Sequence, residues 1–269
     1  AENDIETFKQ EFITEFTNEK NLDLKKHNTL LNVNIQFFDT EVELVKWFFN
    51  IVNEIDRPDI MMAWNIRFDF VTISNRLTKL GYEAASIICP LEFQSYRNSY
   101  YYTDMRAKDI SEKKDYIEVN GYTQYSDQMI NFAKLRVGTK YESYSLDAIA
   151  QATIGASKVD LQGHSIKDVA YKDYKLFMKY AMVDTFRLSQ IEDKEEDVDM
   201  LYALSIITMT RINKVLTKTT SLRNLAAKFF FDQGFIIGNN PNINRLEMNK
   251  KVSAKFRGAL TLQVLFKVS

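Results

Sequence analysis

Two acidic side chains occupy positions where a protein core would not accept an unpaired charge. Asp184 falls on the apolar stripe of a predicted helix, between Phe177 and Ile191, with Tyr180 one turn before it. Asp69 follows a predicted buried strand and opens the next helix. A buried carboxylate needs a hydrogen-bonding partner or a cation. Two interpretations therefore stay open: structural roles, with Asp184 bonded to a neighbouring helix and Asp69 as an N-cap, or metal ligation by both.

The composition limits the chemistry that these carboxylates could support. The 269 residues include one cysteine, Cys89, and two histidines, His27 and His164, which disfavours a Cys-rich or His-rich metal site. Any metal would be held by oxygen, the ligand that Mg²⁺ and Mn²⁺ prefer. No run of 18 apolar residues occurs, which argues against a membrane span.

The elements that must position the carboxylates are mostly helices. Helical apolar spacing covers about residues 3–19, 40–56, 70–80, 145–152, 168–193, 198–216 and 221–233. A buried strand is predicted at 59–64, and Asn120-Gly121 predicts a hairpin within 116–122. Strand-like segments follow at 235–237 and 258–262. This order indicates an α/β body with a helical C-terminal part.

Charge is distributed unevenly along the chain. From Arg211 to Ser269, 11 basic residues stand against 2 acidic ones, a net charge of +9, so the first 210 residues carry −10. Such a basic segment is typical of a surface that binds a polyanion, and equally of solvated helix faces.

Two motifs, in the expected order, resemble the exonuclease region of bacteriophage family B DNA polymerases. The stretch 38–76 resembles the middle motif, through Trp64-Asn65 and Phe68-Asp69. Tyr180-Ala-Met-Val-Asp184 resembles the third motif, a Tyr and an Asp four residues apart. The stretch 144–150 is similar to the helix that these enzymes place between the two motifs.

The resemblance implies a 3′→5′ proofreading exonuclease with a DnaQ-like, RNase H-like fold. Asp69 and Asp184 would bind two divalent cations, Mg²⁺ or Mn²⁺, and Tyr180 would orient the attacking water. Asn65 and Phe68 would contact the 3′-terminal nucleotides of a primer, Phe68 by packing or stacking on single-stranded DNA.

The resemblance covers about residues 37–260 and suggests a division into two parts. Residues 1–193 would form the exonuclease domain, and 194–269 a helical, basic segment leading toward a polymerase palm. No palm motif of the Asp-x-x-Ser-Leu-Tyr-Pro type and no Asp-Thr-Asp occurs. Nucleotide transfer would then need a palm-bearing chain or segment as partner. The implied location is the cytoplasm of a phage-infected cell, away from membranes.

The family's first motif, Asp-x-Glu, has a literal match in Asp4-Ile-Glu6. The family places this motif at the end of a buried strand, whereas here an amphipathic helix is predicted from Asn3. Asp4 and Glu6 are therefore either further metal ligands or acids in the first turn of a helix, where the helix dipole favours them. In the second case, the N-terminal part of the exonuclease domain is incomplete. The chain is then a catalytically incomplete scaffold subunit, or a fragment, of a split DNA polymerase.

Two further alternatives stay open. A DnaQ-like nuclease that acts on RNA would use the same residues. Asp127, which follows the predicted hairpin, is either an acidic wall of the same cleft or the start of a helix.

Overall fold

The structure, a computed structural model, contains ten helices and four short strands in the part of the chain that it describes. The described residues are 2–17, 35–96, 98–139, 141–156, 161, 163 and 165–235. The helices are α1 (Glu2–Thr17), α2 (Glu41–Asn50), α3 (Ile66–Lys79), α4 (Ala84–Ile88), α5 (Gln128–Leu135), α6 (Leu146–Ile154), α7 (Ile166–Lys172), α8 (Tyr174–Glu195), α9 (Asp197–Thr208) and α10 (Lys218–Asp232). The strands are β1 (Ile60–Ala63), β2 (Ser99–Tyr102), β3 (Tyr116–Val119) and β4 (Gln124–Asp127).

Short turns of other helical types complete the pattern. A π-helical turn, Ile51–Asp56, extends α2, and 3₁₀ turns occur at Leu91–Tyr96, Ile110–Glu112 and Ile212–Lys214. Contacts divide the chain into two compact units, Ala1–Leu225 and Ala226–Ser269. None of the described helices is long and apolar enough to cross a membrane.

The predicted α/β character is confirmed, with the strands arranged in two pairs. β1 pairs in parallel with β4, with Ala63 opposite Asp127, whereas β2 pairs antiparallel with β3. Parallel strands end at the same edge of a sheet, so the turns that follow Ala63 and Asp127 lie side by side. The predicted hairpin at 116–122 is wrong, because Asn120-Gly121 joins two strands that belong to different pairs.

Several predicted helix boundaries differ from those observed. The helix predicted at 168–193 breaks at Asp173, whose carboxylate accepts a hydrogen bond from the Leu176 N–H and so begins a new helix, α8. The helix predicted at 198–216 ends at Thr208, and Met209 follows in the left-handed conformation. Of the predicted strand segments, 258–262 lies outside the described residues, as do residues 236 and 237.

Helix α8 packs against neighbours through two separate apolar clusters. Near its middle, Val183 is buried with Phe8 and Phe12 of α1. Near its C-terminal end, Ile191 is buried with Phe132 of α5 and with α6. Trp64, the residue directly after β1, packs against the second cluster, and its Nε1–H donates a hydrogen bond to the Tyr144 carbonyl at 2.9 Å. The turn after β1 is thereby tied to the helices α6 and α8.

Phe132 allows a direct test of this second cluster. Its side chain is fully buried, so we expect Phe132→Ala to lower the free energy of unfolding by about 3–5 kcal/mol through the cavity it leaves. Tyr171, which is 93% exposed, is the control, and Tyr171→Ala should change stability by less than about 0.5 kcal/mol. Urea denaturation followed by circular dichroism measures both, and equal effects of the two changes would contradict the assignment of this core.

Candidate functional site

The turn between β1 and α3 adopts a backbone conformation that is uncommon for a residue with a side chain. Asn65 has φ 59° and ψ 51°, in the left-handed region that Asn tolerates better than most residues. α3 begins directly after it at Ile66, earlier than the predicted start at 70. Asn65 is therefore the N-cap, and Asp69 lies in the first turn of the helix. The interpretation of Asp69 as N-cap is wrong.

Asp127 holds this turn in place from the neighbouring strand. Its Oδ1 accepts hydrogen bonds from the backbone N–H groups of Met129 and Ile130, at 3.0 and 3.3 Å, and so caps α5. The same oxygen accepts the Asn65 N–H at 3.3 Å. The prediction that Asp127 starts a helix is confirmed, and the same carboxylate also fixes the backbone from which Asn65 and the first turn of α3 follow.

The Asp127 carboxylate is buried at a polar cavity of about 30 Å³. Burial raises its pKa to about 6, against the effect of the three backbone N–H groups. Its other oxygen, Oδ2, is buried and has no hydrogen-bond partner among the described atoms, as is true of the Tyr125 hydroxyl and Asn213 Oδ1 on the same cavity. A cavity of this size has room for a water molecule between such groups.

The first turn of α3 presents an aromatic ring and a carboxylate to solvent. Phe68 is 68% exposed, which is unusual for a phenylalanine beside well-packed neighbours such as Ile66 and Phe70, both 6% exposed. Asp69 is also exposed, although partial desolvation by the surrounding chain raises its pKa. An exposed ring beside an accessible carboxylate can contact a nucleobase and a cation.

The buried face of α8 differs from the stripe predicted from the sequence. Its fully buried residues are Val183, Arg187 and Ile191, whereas Phe177, predicted on the stripe, is 37% exposed. Asp184 lies at the edge of this face, and its side chain retains 23% exposure. The acidic group is therefore open to solvent, while an arginine occupies the interior.

Two side chains contact the Asp184 carboxylate, one through opposite charge and one through a hydrogen bond. Arg187 Nη1 lies 3.4 Å from Asp184 Oδ1 and 3.3 Å from Oδ1 of Asp147 on α6. The Tyr180 hydroxyl hydrogen-bonds to Asp184, and burial together with the charges of Asp184 and Asp147 raises the pKa of Tyr180 to about 12. Tyr180 is thus a neutral hydroxyl donor at physiological pH. The structure brings the predicted pair Tyr180 and Asp184 together.

The structure places Asp4 and Glu6 on α1, which extends from Glu2 to Thr17. The Glu6 side chain is exposed and lies 3.5 Å from Lys9 in an i, i+3 ion pair. The helical alternative for this Asp-x-Glu pair agrees with that placement. α1 packs against α8 through Phe8 and Phe12, and a role for Asp4 and Glu6 in metal binding remains a prediction.

The donor chemistry suits a hard divalent cation. Asp184 and Asp147 already flank a positive group, the Arg187 guanidinium, and Asp184 is accessible from solvent. Their ligand atoms are oxygen, which Mg²⁺ and Mn²⁺ prefer. Within the described ranges, no three Asp, Glu, His or Cys side chains converge to form a complete metal site.

Comparison with known proteins identifies the family of this chain. The exonuclease-domain family of family B DNA polymerases matches residues 4–149, just over half of the chain. The chain belongs to this family. The matched part includes Asn65, Phe68, Asp69, Asp127 and Asp147, and it ends before α8. The family implies an RNase H-like α/β fold, and the mixed helices and strands observed agree with it.

Two curated relatives are DNA polymerases. DNA polymerase 1 of Saccharolobus solfataricus is 25% identical over 234 residues, which are 84% of this chain and 24% of the relative. The DNA polymerase delta catalytic subunit of Oryza sativa subsp. japonica is 23% identical over 196 residues, 71% of this chain and 17% of the relative. The chain thus spans a quarter or less of these relatives. They come from an archaeon and a plant, so the predicted phage origin stays a prediction.

Sequence reasoning missed two charged residues close to Asp184, namely Asp147 on α6 and Arg187 on α8. Asp147 was not singled out because an acid in the first turn of a helix is common. Arg187 was not singled out because arginine normally lies at the surface. A signal for Arg187 was available: it lies three residues after Asp184 and four before Ile191, inside the buried face of α8.

The raised pKa of Asp127 predicts an unusual pH dependence of stability. The folded carboxyl binds its proton more tightly than an unfolded one, whose pKa is 3.8, so its contribution to stability falls as the pH rises from about 4 to about 6. Asp127→Asn retains the acceptor oxygen and carries no charge. Relative to this variant, we expect the wild type to lose on the order of 2–3 kcal/mol of unfolding free energy between pH 4 and pH 7.

Asp109 provides a control of opposite sign for this pH experiment. Hydrogen bonds from the Ser111 hydroxyl and N–H lower the pKa of its exposed carboxyl. The stability of the wild type relative to Asp109→Asn should therefore increase as the pH rises. Urea unfolding at pH 4, 5.5 and 7 measures both differences. If the difference in unfolding free energy between the wild type and Asp127→Asn does not change with pH, the Asp127 carboxylate is not desolvated.

Proposed function

We propose that this exonuclease domain hydrolyses the single-stranded 3′ end of a DNA primer, with divalent cations, and releases nucleoside monophosphates. The observation that carries the proposal is the family match over residues 4–149, which includes the exposed Phe68 and Asp69 at the start of α3. Mg²⁺ or Mn²⁺ is the cofactor that an oxygen donor set favours. The bound cations would activate water and stabilise the leaving 3′ oxygen.

The side chains of this domain have distinct proposed roles. Asp69 and Asp184 would hold the cations, with Asp4 and Glu6 as further candidates. Tyr180, a neutral hydroxyl at physiological pH, would orient the water beside Asp184.

Two further side chains would contact the nucleic acid. Phe68 would pack on the terminal nucleotides, and its exposure makes the ring available for that contact. Asn65 would contact the same nucleotides, because it directly precedes the first turn of α3 that carries Phe68.

Proofreading on a primer-template would need a polymerase palm, either on another segment or on another chain. The curated relatives are polymerases of which this chain spans at most a quarter, which supports such a partner. The catalytically incomplete scaffold is not favoured, since the family matched is an exonuclease domain. Within this proposal, the basic segment 211–269 would bind the duplex backbone or the palm.

Carboxylate replacement tests the hydrolytic role. We expect the wild type to degrade a 5′-labelled, 3′-mismatched DNA primer stepwise with Mg²⁺ or Mn²⁺, and expect Asp69→Asn and Asp184→Asn each to slow this about 100-fold or more. Asp56→Asn removes an exposed carboxylate elsewhere and should leave the rate unchanged. Gel analysis of single-turnover time courses gives the rates. A wild type that binds DNA but does not degrade it would overturn the proposal for the chain acting alone.

Phe68 allows a separate test of nucleotide contact. Because the ring is exposed, Phe68→Ala should hardly change stability, yet it should weaken binding of a single-stranded oligonucleotide by about 1–3 kcal/mol. The exposed Tyr171 on α7 is the matched control, and Tyr171→Ala should bind as the wild type does. Fluorescence anisotropy with labelled DNA and RNA gives the dissociation constants. Unchanged DNA binding would remove Phe68 from the interface, and tighter RNA binding would favour an RNA nuclease.

A further inference from the structure

Arg187 is an arginine enclosed by the protein rather than by water. Its side chain is 1% exposed, and it is the bulkiest of the fully buried side chains among the described residues. Its Nη1 lies between two carboxylates, 3.3 Å from Asp147 Oδ1 on α6 and 3.4 Å from Asp184 Oδ1 on α8. One buried guanidinium therefore joins two helices through two acids.

Two carboxylates share the Arg187 guanidinium. Both carboxylates lie beside a solvent-accessible edge, since the side chains of Asp147 and Asp184 are 25% and 23% exposed. A buried guanidinium that lost all its carboxylate partners would be strongly destabilising. Asp147 and Asp184 both lie within salt-bridge distance of the Arg187 guanidinium. One carboxylate can turn away while the other still neutralises the buried guanidinium.

The two carboxylates differ in the helix position that each occupies. Asp147 lies in the first turn of α6, two residues after the N-cap Ser145, where the positive end of the helix dipole stabilises a negative charge. Asp184 lies in the middle of α8, far from either helix end, and hydrogen-bonds to the Tyr180 hydroxyl. The charge of Asp147 is thus stabilised by a helix dipole, an effect that does not reach Asp184 in the middle of α8.

We propose that Asp147 keeps Arg187 neutralised when the Asp184 carboxylate turns to a divalent cation, so that Arg187 and the cation compete for Asp184. This inference rests on the proposed function, which makes Asp184 a metal ligand. Asp147 and Arg187 are then positioning residues: they set how readily Asp184 binds metal without contacting the substrate.

The competition predicts opposite effects from the two partners of Asp184. In Asp147→Asn, Arg187 loses the carboxylate on α6 and holds Asp184 more strongly, so Mn²⁺ binding should weaken about tenfold. In Arg187→Met, no internal cation competes and the two acids attract Mn²⁺ together, so binding should tighten about tenfold. Methionine is chosen because its flexible apolar side chain can fill much of the space of the arginine stem.

The full chain is titrated with Mn²⁺ alone. Binding is measured by calorimetry and by the electron paramagnetic resonance signal of free Mn²⁺. Asp184→Asn defines the binding that depends on Asp184, and Asp199→Asn, at an exposed acid on α9, is the control that should match the wild type. Thermal unfolding without metal checks that each variant is folded. Neither readout requires nuclease activity.

The double variant Asp147→Asn/Arg187→Met keeps the test decisive if Arg187→Met alone does not fold. It removes one negative and one positive charge together. The double variant lacks the guanidinium that competes for Asp184, so the loss of Asp147 no longer matters. It should bind Mn²⁺ at least as tightly as the wild type. Mn²⁺ binding by the double variant as weak as that of Asp147→Asn would overturn the inference. So would weakening in both single variants, the result expected of a merely structural bridge.

The failure of the inference and the failure of the proposed function give different results. If the wild type binds Mn²⁺ no better than Asp184→Asn, the metal site proposed at Asp184 is wrong, and the inference falls with it. If the binding depends on Asp184 but does not change in Asp147→Asn or in Arg187→Met, the competition is overturned while the proposed metal site stands.

Discussion

The carboxylate of Asp127 is the contact on which the edge of the parallel strand pair depends. Two helices begin at this edge, α3 after β1 and α5 after β4, and the first N–H groups of a helix lack partners within it. Asp127 supplies a partner to two of them in α5 and to the N–H of Asn65, which has no side-chain cap of its own. The left-handed turn at Asn65, and with it the placement of Phe68, follows from this single group. Burial of its charge is the energetic cost.

Helix α8 is held to its neighbours by arginines as well as by apolar packing. Arg187 pairs across to α6 in the middle of the helix. At its C-terminal end, Arg136 lies 2.6 Å from Glu195 and 2.8 Å from Asp197, and also packs over the Phe132 ring. A guanidinium meets carboxylates in a defined geometry, whereas methyl groups tolerate sliding. These pairs therefore fix the rotation of α8 about its axis, and so the positions of Tyr180 and Asp184.

Features set by neighbouring residues could be predicted from the sequence. The strand predicted at 59–64 and the helix predicted from residue 145 both appear, because local propensity and capping decide them. Pairing of β3 with β2 could not be predicted, because Asn120-Gly121 describes only its own turn. The start of α3 depends on Asp127, 62 residues away. Of the site, Asp184 could be found from its place in an apolar pattern, but its pairing with Arg187 and Asp147 could not.

Burial makes the bridge at Arg187 strong and also makes it depend on packing. Ile149 and Ala150 of α6 are fully buried against Ile191 of α8, one turn beyond Arg187, and they exclude water from this contact between the helices. Charges attract more strongly where water is excluded, so the apolar cluster sets the strength of the pairing beside it. Asp147 lies inside the part of the chain that matches the exonuclease family, and Asp184 lies beyond it. The guanidinium therefore joins the matched part of the domain to the helix that carries Tyr180 and Asp184, and a disturbed α6–α8 contact would displace both.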